Sequence, residues 1–387
     1  MRHRVMLLVL AGVALALAGC GTTSERATPS DDLRDGQPEV LAEREWHRRA
    51  GSGVQTEGEA LPPVLVDGQL YVSDRRGRVS AYSAETGRLS WRFSIGSGIS
   101  GGPAIAEDMV VVGTRKGRVV ALEPETGEQI WEARVSSEVL TLPTIDDDVV
   151  VVRSADGRVY GFSRDSGSRR WVHDVSVPSL SLRGSSHPVQ LNGNVAIGFE
   201  NGVLQALRAS DGEPAWQVTV SEPRGSADLD RVRDIDATPV LFDGTLYVVG
   251  YRGRLMAVSP SDGDVYWDRE FSSHSGMGVD DERVYVTDER GRVWAVDRRT
   301  GASIWRQNDT EGLNATAPTA HGAYVVFGDH TGRLTVLSAQ DGRILARRQI
   351  SEDDRISQAP VSDGDGVLVL TDDGYLMRYH LRDRDAE

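Results

Sequence analysis

Several groupings along the chain have residue types and spacings suited to chemistry. Gly96, Gly98 and Gly101 match the glycine pattern that cradles a dinucleotide pyrophosphate, and Gly98-Ile99-Ser100-Gly101-Gly102 matches the sharp turn that exposes a nucleophilic serine. Both arrangements need a strand feeding a helix, whose first N–H groups hold the ligand or the developing oxyanion. No helical periodicity follows here, so the stretch reads as a Gly-rich loop joining two β units. Asp228, Asp230, Asp234 and Asp236 bring carboxylates close together, but a calcium loop needs Gly at its sixth position and Glu at its twelfth, and neither is present. The eight histidines, at 3, 47, 173, 187, 274, 321, 330 and 380, include no i,i+4 pair, and a single cysteine denies zinc its usual ligand sets. The sequence therefore leads us to expect no catalytic residue, no metal and no cofactor, and a protein that acts by binding.

The elements that would position any site are repeats. Gly87 to Trp91, Gly127 to Trp131, Gly167 to Trp171, Gly212 to Trp216, Gly263 to Trp267 and Gly301 to Trp305 share one spacing. Ten residues before each of these glycines stands another, and fourteen before that stands Pro63, Pro103, Pro143, Pro188, Pro239 or Met277. A seventh copy from Pro318 has Ala346 in place of the Trp, and a partial eighth runs from Pro360 to Gly374. Within a copy, short β-branched runs alternate with Gly and Asp turns, as in Pro103–Ala106, Met109–Gly113, Arg118–Glu123 and Glu128–Arg134. Four antiparallel strands per unit of about forty residues predict one blade of an all-β propeller. The eighth copy lacks its last strand, while Val40–Arg49 carries Trp46 ahead of the first Pro. We expect this N-terminal strand to complete the eighth blade and close the ring, since an open ring would leave unburied blade faces at both ends.

The Ala-x5-Gly-x3-Trp pattern, with Ala81, Ala121, Ala206, Ala257 and Ala295 in the first position, resembles the tryptophan-docking repeat of quinoprotein-type propellers. Each docking Trp is expected to fill the gap to the neighbouring blade, and Trp294, outside that position, to be core as well. The quinone-dependent alcohol dehydrogenases with this repeat carry an adjacent Cys pair over their cofactor, which is absent here. A dehydrogenase is thus the alternative reading from another functional class.

Arg2 and Arg4, the apolar run Val5–Ala18 and the ending Leu17-Ala18-Gly19-Cys20 form a secretion signal too short to span a bilayer comfortably. The ending looks like a bacterial lipobox, which implies removal of residues 1–19 and lipidation of Cys20, the sole cysteine. Gly21 stands where inner-membrane retention commonly uses Asp, so the resemblance points to the outer membrane, facing the periplasm. Residues 20–39 read as a flexible tether and 40–383 as the propeller. A formal net charge of −15 repels nucleic acid.

Spacing inside the copies is nearly constant, so length variation concentrates in the Trp-to-Pro joins. The two longest, 171 to 188 and 216 to 239, are consecutive and should lie side by side on one face. The first holds Leu180, Leu182 and Arg183; the second holds Asp234 and Asp236 before Thr238-Pro239. Apolar anchors among Arg and Asp suit a protein interface. With its lipobox, repeat, Leu-Ser-Leu-Arg-Gly run and Asp-x-Asp, the mature chain resembles the B lipoprotein family of the outer-membrane β-barrel assembly machine. That resemblance implies a non-catalytic scaffold whose Leu180, Leu182, Arg183, Asp234 and Asp236 bind a polypeptide-transport-associated domain of the barrel-forming subunit. It further implies that blade edges hold unfolded client strands. A scaffold lipoprotein of another envelope complex is the remaining alternative.

Overall fold

The computed structural model describes residues 37–53, 61–175, 186–222 and 234–385. It contains eight four-stranded antiparallel sheets and, among the described residues, no helix. Seven sheets use four consecutive strands; the eighth is ordered Val40–Arg49, Tyr375–Asp383, Gly366–Leu370, Val361–Ser362. The N-terminal strand is thus the outermost strand of the last blade, paired from Val40↔Asp383 to Arg49↔Tyr375, as expected from the repeat count.

The repeat residues explain the geometry. Each third strand places its Ala directly opposite the Trp of the fourth: Ala81↔Trp91, Ala121↔Trp131, Ala206↔Trp216, Ala257↔Trp267 and Ala295↔Trp305. In the third blade Gly161 faces Trp171, and a Cβ there would come 2.1 Å from the indole. In the seventh the sizes are exchanged, Val336 facing Ala346. The Trp then reaches the next blade, where its Nε1–H donates to a carbonyl: Trp46 to Ala84 at 3.1 Å, Trp91 to Pro124 at 2.7 Å and Trp305 to Ala339 at 2.9 Å are examples. Its ring lies on the turn glycine there; a Cβ on Gly127 would meet Trp91 at 2.5 Å, and one on Gly342 would meet Trp305 at 2.5 Å. These glycines also have φ of +76° and +74°, which side-chain-bearing residues rarely adopt. Every inter-blade contact but that of the seventh and eighth blades is therefore a Trp–Gly latch with one hydrogen bond, backed by a Val-rich core from the second and third strands of both blades.

Two local expectations need adjustment. Ile99–Ala106 is one eight-residue strand, so the Gly-rich stretch from Gly98 is only in part a loop. Ser100 is fully buried, its hydroxyl donating to the Val139 carbonyl at 2.7 Å, which fits packing and not nucleophilic display. Trp294 packs against the core shared by the fifth and sixth blades but is only half-buried: its Nε1–H donates to Asp288 at 2.9 Å, and the Arg292 and Arg306 guanidiniums lie over its ring at 5.7 and 5.0 Å.

Candidate partner-binding face

Antiparallel order fixes which loops share a face. Joins between blades and turns between second and third strands lie at one end of the blades; the remaining turns lie at the other. The described feet of the two long joins therefore share their face with the ends of Val149–Arg153 and Asn194–Gly198.

The second long join re-enters the described structure at Asp234, whose carbonyl accepts from the Tyr251 N–H at 2.8 Å. Ile235 follows, fully buried, and plugs the space over Gly198, where a Cβ would come 2.4 Å from it. Val139 over Gly113 and Ile356 over Gly328 do the same, each four residues before a blade-opening Pro. This apolar peg sets the positions of the two carboxylates flanking it. The foot of the first long join is tied to the same place. The His187 N–H donates to the Thr238 hydroxyl at 3.3 Å, while His187 Nδ1 accepts from the Leu142 N–H at 3.2 Å. Burial of this ring pushes its pKa down to about 4, so it is neutral at pH 7 and able to accept.

The charge here is unbalanced. Arg153 and Glu200 form an ion pair with side chains 3% and 9% exposed, and the guanidinium also donates to the Gly198 carbonyl at 3.1 Å and lies over Phe199. Asp234, 1% exposed, and the partly buried Asp236 add two more carboxyls. Asp234 Oδ2 and Asp236 Oδ1 are buried without a hydrogen-bond partner. Burial, then the charge of Asp236, pushes Asp234 up to about 8; burial, then Glu200, pushes Asp236 up to about 6. Three carboxyls around one guanidinium, with two oxygens unsatisfied, form a socket that an incoming cation would complete. No cluster of three or more His, Cys, Asp or Glu among the described residues is arranged to hold a metal ion.

Of the residues singled out from sequence, Asp234 and Asp236 stand together in this socket. Cys20, Leu180, Leu182 and Arg183 lie outside the described residues. Sequence reasoning missed Arg153 and Glu200. A signal existed for Arg153: ten residues after the blade-opening Pro, other copies carry Ser73, Gly113, Gly198, Val249, Gly328 or Leu370, and this copy alone has a charge.

Comparison with known proteins gives the family of the chain. The family model described as outer membrane protein assembly factor BamB matches residues 41–118, 75–307 and 306–385. Curated relatives of that name include one from Alkalilimnicola ehrlichii, 50% identical over 98% of this chain and 97% of its own. The Pseudomonas aeruginosa relative is 42% identical over 96% and 98%, and the Escherichia coli relative 32% identical over 92% and 94%. The crystal structure of BamB from Moraxella catarrhalis superposes with a TM-score of 0.79 at 27% identity, covering 88% of this chain and all of its own. A quinohemoprotein alcohol dehydrogenase from Comamonas testosteroni matches with a TM-score of 0.66 at 14% identity, over 89% of this chain and 76% of its own, a likeness of fold alone. With a family model spanning the propeller and near full-length relatives at up to half identity, the chain belongs to the outer membrane protein assembly factor BamB family.

Proposed function

We propose that this chain is a non-catalytic scaffold lipoprotein of outer-membrane β-barrel assembly, held to the outer membrane through a lipid on Cys20 and facing the periplasm. In this reading residues 1–19 are the signal, 20–39 the tether and 40–383 the propeller that binds. The partner is a polypeptide-transport-associated domain of the barrel-forming subunit. The observation that carries the reading is the socket: two consecutive long joins have feet bonded to each other beside buried, unsatisfied carboxylates. Leu180, Leu182 and Arg183 supply the apolar anchors and a cation from the first join, and Asp234 and Asp236 the acidic half from the second. A partner Lys or Arg entering the socket would favour the ionised carboxylates and release protons.

The test measures affinity for the purified barrel-forming subunit and the thermal midpoint on one preparation. Leu182→Ala and Arg183→Ala are expected to weaken binding by ~2 kcal/mol, roughly thirtyfold, with the fold intact. Wild-type affinity should rise between pH 6 and pH 8, since Asp236 and Asp234 titrate at about 6 and about 8, and Asp234→Asn should flatten that rise. Unchanged affinity in both loop variants would place the partner surface elsewhere.

A further inference from the structure

Between the eighth and first blades lies an open groove of about 620 Å³ whose lining includes Arg48, Arg49, Arg88 and Arg92 and no carboxylate. In a chain with 58 acidic and 43 basic residues this is a local reversal of charge. The guanidiniums are positioned by neutral acceptors. Arg48 donates to the carbonyls of Gly87 at 3.0 Å, Thr86 at 3.2 Å and His47 at 2.8 Å. Arg92 donates to the Ser80 and Tyr82 hydroxyls at 3.0 and 2.8 Å, and Arg49 to the Tyr375 hydroxyl at 2.9 Å. Arg88 is exposed, and although its backbone N–H donates to the Thr86 hydroxyl at 3.4 Å, its guanidinium forms no hydrogen bond or ion pair among the described residues. Other blades provide an internal comparison. The position of Arg92, one after the docking Trp, is Glu132 in the second blade and Asp268 in the fifth, each pairing with an Arg across the strand, and Arg306 and Arg347 in the sixth and seventh. What sets this groove apart is that Arg48 and Arg49 of the neighbouring blade and Arg88 of the turn join Arg92 in one lining.

We propose that this groove docks on the phosphate groups of anionic lipid headgroups. Guanidinium forks match phosphate oxygens, and three cations held by neutral acceptors, with a fourth whose guanidinium is unbonded, keep their full charge for a ligand. The rim favours a bilayer surface over a free ion: Leu89, 43% exposed, lines the groove, and Tyr375, 38% exposed, lies under Arg49 at 5.0 Å. An aliphatic and an aromatic side chain beside arginines is the composition of a membrane-interface contact. The groove is also on the tethered part of the chain. Arg48 and Arg49 end the strand that begins at Val40, and the twenty residues back to Cys20 span at most ~70 Å. That last point rests on the proposed lipid anchor; the charge and rim do not.

The test uses protein beginning at Gly21, which has neither the apolar run of residues 5–18 nor Cys20, so that membrane binding does not come from the signal or a lipid. It is expected to co-sediment with phosphatidylcholine vesicles containing phosphatidylglycerol and not with phosphatidylcholine alone. Each basic residue at an anionic surface is worth about fivefold in binding, so Arg88→Glu with Arg92→Glu should reduce it more than tenfold. The charge-matched pair Arg134→Glu with Arg170→Glu, exposed on other blades, should leave binding close to wild type, with unchanged melts in both. Equal loss in both pairs, or no binding to phosphatidylglycerol, overturns the proposal. So does saturation by inorganic phosphate without vesicle binding, which marks a free-anion site, or binding of a polyglutamate peptide in place of vesicles. Capture of the barrel-forming subunit by the Arg88→Glu, Arg92→Glu protein should persist, which separates failure here from failure of the scaffold reading.

Discussion

The seam between the second and third blades and the seam between the seventh and eighth solve one packing problem with different parts. In the first, Trp131 lies on Gly167, where a Cβ would come 2.6 Å from the indole, and its Nε1–H donates to the Arg164 carbonyl. Trp and Gly belong to continuous chain, the glycine sitting in the turn between third and fourth strands. In the eighth blade that turn does not exist: its third strand ends at Asp383 and its fourth begins at Val40. The chain ends occupy the place of the turn. The Glu39 N–H donates to the Leu345 carbonyl at 2.9 Å, and the Arg384 N–H donates to the Glu39 carbonyl at 2.8 Å. Arg343 pairs with Glu39, and Val40, Leu345, Ala346, Tyr379 and Leu381 close the core. The difference teaches that the latch is a two-residue device. With no glycine turn to receive it a Trp would have no seat, so Ala346 and the missing turn belong together.

The most severe way to break this comparison is to remove residues 37–49. That takes away Trp46, the fourth strand of the eighth blade and both Glu39 hydrogen bonds. The expected outcome is loss of the cooperative thermal transition; a near-native midpoint would show that the ring does not depend on closure. Next in size, Trp131→Ala should cost ~3–5 kcal/mol in denaturant unfolding, as for other large buried aromatics. Ala346→Trp should also destabilise, by ~1–3 kcal/mol from overpacking; a gain in stability would refute the two-residue account. Gly167→Ala should cost ~1–3 kcal/mol from strain at φ +67° and contact with Trp131. Adding Trp131→Ala should recover the contact part, so a double-mutant cycle on this pair should be non-additive.

The seam of the fourth and fifth blades sharpens the contrast because it adds buried charge to its Trp216 latch. With Asp234 raised to about 8, the folded chain holds a proton that the unfolded chain loses near its ordinary value of ~4. Stability should therefore fall as pH rises through that window, by at most ~1.4 kcal/mol per unit for one proton. Asp234→Asn should flatten the slope; an unchanged pH profile of the midpoint would show that Asp234 is ionised throughout.

Much of this architecture was legible because a propeller repeats its instructions. The fixed distances among Pro, two Gly and Trp located the blades, and a copy lacking its last strand, opposite an N-terminal strand bearing Trp46, disclosed the closure. The acidic pair was visible as Asp-x-Asp in the longer of two neighbouring joins. Arg153 and Glu200 were harder to see, since each belongs to a different blade and meets the Asp pair only when blades are stacked. The core packing of Trp294 was expected, but not its half-burial, because composition does not show that Asp288 and arginines hold the outer side of the ring.

Sequence by itself determined the class of fold, the number of blades and the residues of each latch, because those are local spacings on a two-residue strand period. Only the tertiary structure decided the electrostatics. Whether a carboxylate is a solvated surface charge or a buried acid at about 8 depends on which blade covers it. Whether four arginines separated by up to 44 positions form one groove depends on the ring bringing its first strand beside its first complete blade. Charge acts through space and through the dielectric around it, and neither is written in the order of residues.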